Sequence, residues 1–437
     1  MTVGTAPSWS ELAGRYGTPV HVLDLAKLAD NASAFRRAWQ RCVAPVDVYY
    51  SVKTNYLPLV CARLAADGWG ADVVAGHELE LALASGFEPS RIVFNGPMKT
   101  VDEIRRAVDL GIRVNVDSPA DITLLEKFAS SERVGVGLRV HPGHNVYRSD
   151  DAAYAQAAEW RAARSKFGWA LGDPATDALT ARVAASDSLE LRGVHCHLGS
   201  QITDEAAFLD ALRPVMAFTA RMRRDHPIDS LNIGGGFGVP GIDRPRVSSA
   251  APAEASALRR PGRSFDMEHF VAGVNDLLDE HSLTDLRLAC EPGRYVVSDA
   301  MVLLSTVVGV KRQALGAWAV LDGGLNLLPT AGVGEVRAMT VVGEARPAAP
   351  YFVGGPLCYE GDVLSYRALL PEDLSEGELV VLHDTGAYSV SRATNFIRPR
   401  AGVVAVHGDR HELCWRPESY DDIFSFHCTT SFEPTAR

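Results

Sequence analysis

Lys53 lies in the run Tyr50-Ser-Val-Lys53-Thr-Asn55, where a buried strand would deliver an amine to its C-terminal end. An amine held there can form a Schiff base with an aldehyde cofactor. A lone strand-end lysine is more often a surface cap, so the reading depends on what surrounds it. Three further strand exits carry reactive groups. Asn232-Ile-Gly234-Gly235-Gly236-Phe-Gly238 offers backbone N–H groups that can approach a phosphate with no Cβ in the way. Glu291-Pro-Gly-Arg294 presents a carboxylate and a guanidinium from one turn. His195-Cys-His197-Leu-Gly199-Ser200-Gln201 supplies two imidazoles, of which one is expected to face the site and the other to pack. No carboxylate or cysteine set beside them completes a zinc site, so no metal is expected.

Positioning such groups requires a frame of strands opening at one end. Short apolar runs at 46–51, 70–74, 91–95, 113–117, 134–141, 191–197, 230–234 and 286–291 read as buried strands. Amphipathic stretches such as 76–85, 101–110 and 205–226 lie between them. Strands alternating with helices in this way predict an α/β fold with a (β/α)8 barrel, whose C-terminal mouth is where such folds place their chemistry. After about residue 300 the texture changes. Runs at 302–310, 318–321, 338–342, 378–382 and 402–407 are separated by turns, which predicts a mostly antiparallel β domain. The expected division is a barrel over 28–290 and a β domain over 291–437, joined by residues 1–27 through an early strand at 19–23. The connection 239–265 is long and without clear period.

Length and composition agree with an enzyme of this kind. The chain has 437 residues, more than one core usually serves, with 47% hydrophobic and 22% charged residues. A net charge of −11 with no basic stripe argues against a nucleic-acid partner. Seven scattered cysteines lack metal spacing and suit reduced thiols, so a cytoplasmic location is expected. No export signal is apparent, and no apolar stretch approaches the roughly 20 residues of a membrane helix.

Taken in order, the motifs at Lys53, His195–Gln201, Gly234–Gly236 and Glu291–Arg294, together with Ser165-Lys-Phe-Gly168, Gly355-Pro-Leu-Cys358 and Thr385-Gly-Ala-Tyr388, resemble the fold-type III pyridoxal-phosphate (PLP) decarboxylases. The closer likeness is to the diaminopimelate decarboxylase branch of the diaminopimelate/ornithine decarboxylase family, from about Gly17 to Asp422. The resemblance implies that Lys53 holds pyridoxal 5'-phosphate covalently and that Glu291 pairs with its pyridine nitrogen. It implies further that His197 stacks on the ring. Ser200, Gly235, Gly236, Arg294 and Tyr388 would surround the phosphate or the substrate carboxylate. It also implies a homodimer with shared sites, in which Cys358 of one subunit acts near Cα in the other.

The likeness breaks near the substrate's far end. After Asp322-Gly-Gly324 the branch usually presents an Arg and, four residues on, a Tyr; an ungapped reading places Thr330 and Gly334 there. Tyr359 follows the cysteine in place of an acid, with Glu360 next. These departures point to a modified or conjugated amino acid from a specialised pathway such as siderophore or antibiotic synthesis, with Tyr359, Glu360, Arg294, Tyr388 and the 239–265 segment shaping the pocket. Meso-diaminopimelate, giving L-lysine, is the alternative, with Arg337 as a substitute guanidinium. An amino-acid racemase is disfavoured because racemases of this fold place an arginine at the pyridine nitrogen. A non-catalytic relative is disfavoured by intact Lys53, Glu291 and Cys358.

Overall fold

The computed structural model describes residues 6–130, 132–244 and 265–426. Most of the 239–265 connection therefore lies outside the described residues. The chain enters through β1 (Val20–Asp24) and then builds a barrel of parallel strands. These are β2 (Val46–Ser51), β3 (Gly70–Val73), β4 (Ile92–Phe94), β5 (Arg113–Val116), β6 (Val134–His141), β8 (Leu189–His195), β9 (Ser230–Asn232) and β11 (Arg287–Cys290). The two-residue β7 (Trp169–Ala170) pairs only with the end of β6. Pairing of β2 with β11 at one seam and of Asn115 with Gly137 at the other closes the ring. Every residue of β3 and β4 is buried, as expected of strands covered on both faces.

Helices cover the outside and start on defined caps. Thr100 and Glu103 form a reciprocal capping box for the helix Val101–Asp109, as Ser118 and Asp121 do for Pro119–Phe128. The barrel interior is apolar except at its C-terminal end. There Asp72, Asn95 and Asn115, on or just after β3, β4 and β5, and Asn232 and Glu291, at the exits of β9 and β11, are buried. Gly137 makes room for one of them, since a Cβ at that position would lie 1.8 Å from Asn115 Oδ1.

The second unit is a mostly antiparallel sheet. Its strands are β12 (Met301–Gln313), β13 (Gly316–Leu321), β15 (Met339–Val341), β16 (Ala348–Gly354), β17 (Val363–Pro371), β18 (Leu379–Leu382), β19 (Gly402–His407) and β20 (Arg410–Trp415). β1 lies in this sheet, antiparallel to β12 and parallel to β19. The short strands β10 (Ile242–Asp243) and β14 (Val336–Arg337) pair across the gap between barrel and sheet. Three sheet strands carry weak sequence signals. β16 contains Pro350, β17 ends on Pro371, and β20 is a largely exposed edge strand. Among the described residues no helix is long and apolar enough to cross a membrane.

Candidate active site

Lys53 leaves β2 on a short 3-10 turn, Val52–Thr54, at the barrel mouth. Its Nζ donates to Asp72 Oδ2 at 2.5 Å and to Ser51 Oγ at 2.7 Å, with 32% of the side chain still open to the mouth. Burial of the amine opposes its charge, but Asp72, Tyr388 and Glu291 together raise its pKa above the usual lysine value. Asp72 in turn accepts from Asn95 Nδ2 at 2.7 Å, and the same amide reaches Glu291 Oε1 at 2.7 Å. Asn115 steadies Asn95 from the next strand. One polar chain therefore links the amine of Lys53 to the carboxylate of Glu291.

Glu291 is buried at the exit of β11. Its Oε1 also accepts from Asn232 Nδ2 at 2.7 Å and lies 3.2 Å from His195 Nε2. Burial raises a carboxyl pKa, yet His195 and Lys53 hold this one well below the ordinary range. Among the described residues Oε2 meets only the His195 ring, at 3.3 Å, so it retains capacity for another donor.

The histidine expectation needs correction. Strand β8 ends at His195, and both imidazoles turn toward the site, His195 onto Glu291 and His197 onto the glycine run. Residues two apart on an extended chain share a face, which is why neither ring packs away. His197 Nδ1 accepts from Gly235 N–H at 3.2 Å, so its own proton sits on Nε2. Burial and the nearby Lys53 push its pKa down to about 3, leaving a neutral ring.

The glycines are there because nothing larger fits. A Cβ on Gly234 would stand 2.4 Å from Cys196 O, and one on Gly235 2.1 Å from Glu291 O. Their backbone can thus lie directly against the exits of β8 and β11. Gly236 accepts Ile202 N–H, holding the run to the segment after Ser200. Ser200 is fixed through its backbone N–H, which donates to Tyr147 Oη at 2.8 Å.

Arg294 and Tyr388 complete the mouth. Tyr388 adopts φ +58°, an uncommon conformation for a non-glycine residue, and its ring lies 5.3 Å from the Arg294 guanidinium. Arg294 is buried and grips Glu335 at 2.7 and 3.3 Å. Glu335 also accepts from Arg337 Nη2 at 2.8 Å, and Arg337 Nη2 donates to Thr330 Oγ1 at 2.6 Å. Thr330 therefore does not leave a gap, because Arg337 fills the space beside it. Arg294 Nε and Arg337 Nη1 are buried and find no hydrogen-bond partner among the described residues. Two buried guanidinium groups share one carboxylate, and the surplus positive charge invites an anion.

Cys358, Tyr359 and Glu360 lie elsewhere. All three are exposed on the loop after β16, and among the described residues none hydrogen-bonds to Lys53 or Arg294. Asp362 clamps this loop by accepting the backbone N–H of Leu325 at 2.7 Å and of Leu357 at 2.8 Å. Tyr359 and Glu360 therefore do not line the mouth of their own chain, and with Cys358 they could reach a substrate only in a second copy. The site residues that sequence reasoning missed are Asp72, Asn95, Asn115, His195 as a Glu291 partner, and Glu335. The first three had a visible signal, being single polar residues at the ends of apolar strands.

These residues fit pyridoxal phosphate. An amine, an anionic carboxylate with one oxygen to spare, a neutral ring, a glycine cradle and an unpartnered arginine N–H converge at one mouth. Among the described residues no group of His, Cys, Asp and Glu converges as a metal site.

Residues 30–298 match the family model of the pyridoxal-dependent decarboxylase pyridoxal-binding domain, and residues 294–386 that of the C-terminal sheet domain. Diaminopimelate decarboxylase of Bacillus subtilis is 32% identical over 424 residues, covering 94% of this chain and 92% of that protein. The enzyme of the same name from Actinosynnema pretiosum is 33% identical, covering 97% and 91%. The crystal structure of diaminopimelate decarboxylase from M. jannaschii with L-lysine superposes with a TM-score of 0.84 at 25% identity, covering 96% and 94%. These relatives give no support to the expectation of a modified or conjugated amino acid. With both halves of the architecture matched, the chain belongs to the pyridoxal-dependent decarboxylases and is a PLP-dependent carboxy-lyase acting on an amino acid.

Proposed function

We propose that the chain decarboxylates meso-diaminopimelate, releasing CO2 and L-lysine. The observation that carries this reading is the buried pair Arg294 and Arg337 sharing Glu335, with unpaired N–H groups on both. A substrate whose far end bears a carboxylate satisfies that surplus charge, and a monocarboxylic amino acid does not. The diaminopimelate decarboxylases to which the chain is similar support the same choice.

Pyridoxal phosphate supplies, when bound, an electron sink for the pair left at Cα as CO2 departs. The chain's own groups prepare for that event. Lys53 Nζ would be the attachment point, steered by Asp72 and Ser51. Glu291 would pair with the ring nitrogen and keep it protonated, because its lowered pKa makes it an acceptor. The neutral ring of His197 gives a flat, uncharged face beside the glycine cradle. Arg294 and Arg337 hold the distal carboxylate and so orient the scissile bond. A glutamate rather than an arginine at position 291 favours decarboxylation over racemisation.

The carbon that loses CO2 must regain a proton. Cys358 is an exposed free thiol on the loop after β16, and in this reading it donates that proton in the site of a second copy, with solvent restoring it. The test is kcat/KM for CO2 release by holoenzyme from meso-diaminopimelate, L-ornithine, L-arginine and L-lysine. Meso-diaminopimelate should exceed the others at least tenfold. Equal turnover of a monocarboxylic amino acid would overturn the proposal.

A further inference from the structure

Beside the cofactor seat lies a chamber of about 560 Å³ that nothing in the reaction above requires. It runs under the loop after β6 and the helix Ala152–Ala162, and it meets the site at His197. Lys53, Glu291 and Gly235 do not line it, so it extends away from the amine and the glycine cradle on the far side of His197. Its size falls within the roughly 300–1,000 Å³ of pockets that enclose drug-sized ligands, larger than a seven-carbon amino acid needs.

The lining has a consistent chemistry. Arg161, Arg244, His141, His144 and Tyr154 face it, and among the described lining residues there is no Asp or Glu. Arg161 lies over the Tyr154 ring at 6.0 Å, and His141 Nδ1 is buried with no hydrogen-bond partner. Arg244 stands near Glu335 as well, so the chamber adjoins the arginine pair assigned to the distal carboxylate. Its rim at Gly334 is open, with nothing within 4 Å of where a Cβ would lie. A basic chamber contiguous with the distal end of the substrate suits an acidic group attached there.

We propose that this chamber binds an anionic extension on the distal amine of the substrate, so that the enzyme accepts diaminopimelate bearing a dicarboxylic acyl group. The inference rests on the reading that the distal end of diaminopimelate lies at Arg294 and Arg337. The acyl chain passes His197 and its terminal carboxylate meets Arg161 and Arg244.

The probe is meso-diaminopimelate acylated with glutaric acid on its distal amine, compared with the free compound on the holoenzyme. Two measurements are made, CO2 release and calorimetric affinity for the correspondingly acylated product, N-glutaryl-lysine, against L-lysine. The acylated forms should bind at least tenfold more tightly. Arg161→Gln and, separately, Ala162→Trp, which fills the chamber from the helix, should erase that preference and leave turnover of free meso-diaminopimelate within twofold. Acylated forms that bind no better than free ones, or a preference that survives both variants, would overturn the proposal. Preference for the acylated compound without turnover of the free one would support the chamber and refute the substrate assigned above.

Discussion

Replacing Arg337 with Met separates a binding guanidinium from a merely structural one. In the fold Arg337 is 7% exposed and donates to Glu335 at 2.8 Å, to Thr330 Oγ1 at 2.6 Å and to the Asp384 carbonyl at 3.1 Å. Removing one partner of a buried ion pair costs about 3–5 kcal/mol. Glu335 keeps both of its bonds to Arg294, so the loss of stability should fall at the low end, about 3 kcal/mol. The functional cost is separate. A charged contact to the distal carboxylate is worth about 2–5 kcal/mol, or roughly 30-fold or more in affinity. The assay is inhibition by two diamines under conditions where the variant is folded. L-lysine retains the distal carboxylate and cadaverine lacks it. Arg337→Met should weaken L-lysine at least 30-fold and leave cadaverine within threefold, with kcat/KM for meso-diaminopimelate falling in step with L-lysine. If stability falls while L-lysine and cadaverine respond alike, Arg337 only supports the fold, and the carboxylate grip is wrong.

Two further outcomes follow from burial and from the position of Cys358. His21 on β1 is 2% exposed, neither ring nitrogen has a hydrogen-bond partner among the described residues, and burial lowers its pKa to about 4 from 6.5. The unfolded chain therefore binds a proton that the folded one refuses, so stability present above pH 6.5 is lost as pH falls toward 4. His21→Leu should gain about 1–3 kcal/mol at pH 7 and flatten that window, as read by urea midpoints across pH; an unchanged slope would show that His21 is not its source. If a second copy supplies Cys358, inactive Lys53→Ala and Cys358→Ala proteins co-refolded together should recover about a quarter of wild-type activity, because half the dimers are mixed and each has one intact site. No recovery, with mixed dimers demonstrated by mass spectrometry, would mean each chain builds its own site.

The parts of the site that were legible in the sequence are those whose residue type is itself informative. Lys53 and Glu291 end apolar runs, and the glycine run could hardly serve a packed strand. Asp72 and Asn95 were harder, because their role exists only when the barrel closes and sets β2, β3 and β4 side by side. Arg337 could stand in for an arginine at 330 only if the ungapped reading were broken, and nothing in the residues themselves argued for breaking it. The 3-10 turn at Ala331–Val333 and the left-handed Gly334 bring it back beside Thr330. The barrel strands were readable because burial on both faces leaves nearly unbroken apolar runs. In β16 and β20 prolines and an exposed edge hide the pattern, and only neighbouring strands give those segments their form.

The central claim is that the barrel mouth seats the cofactor on Lys53 beside Glu291, and peptide mapping after borohydride reduction tests it most directly. The purified holoenzyme should absorb in the visible range, lose that band on reduction, and carry a single pyridoxyl group on the peptide containing Lys53. Glu291→Gln should retain the linkage while decarboxylation falls by at least two orders of magnitude, as expected for removal of a group that acts on the transition-state charge. A pyridoxyl group found on Lys99, or on any lysine other than Lys53, would contradict the account.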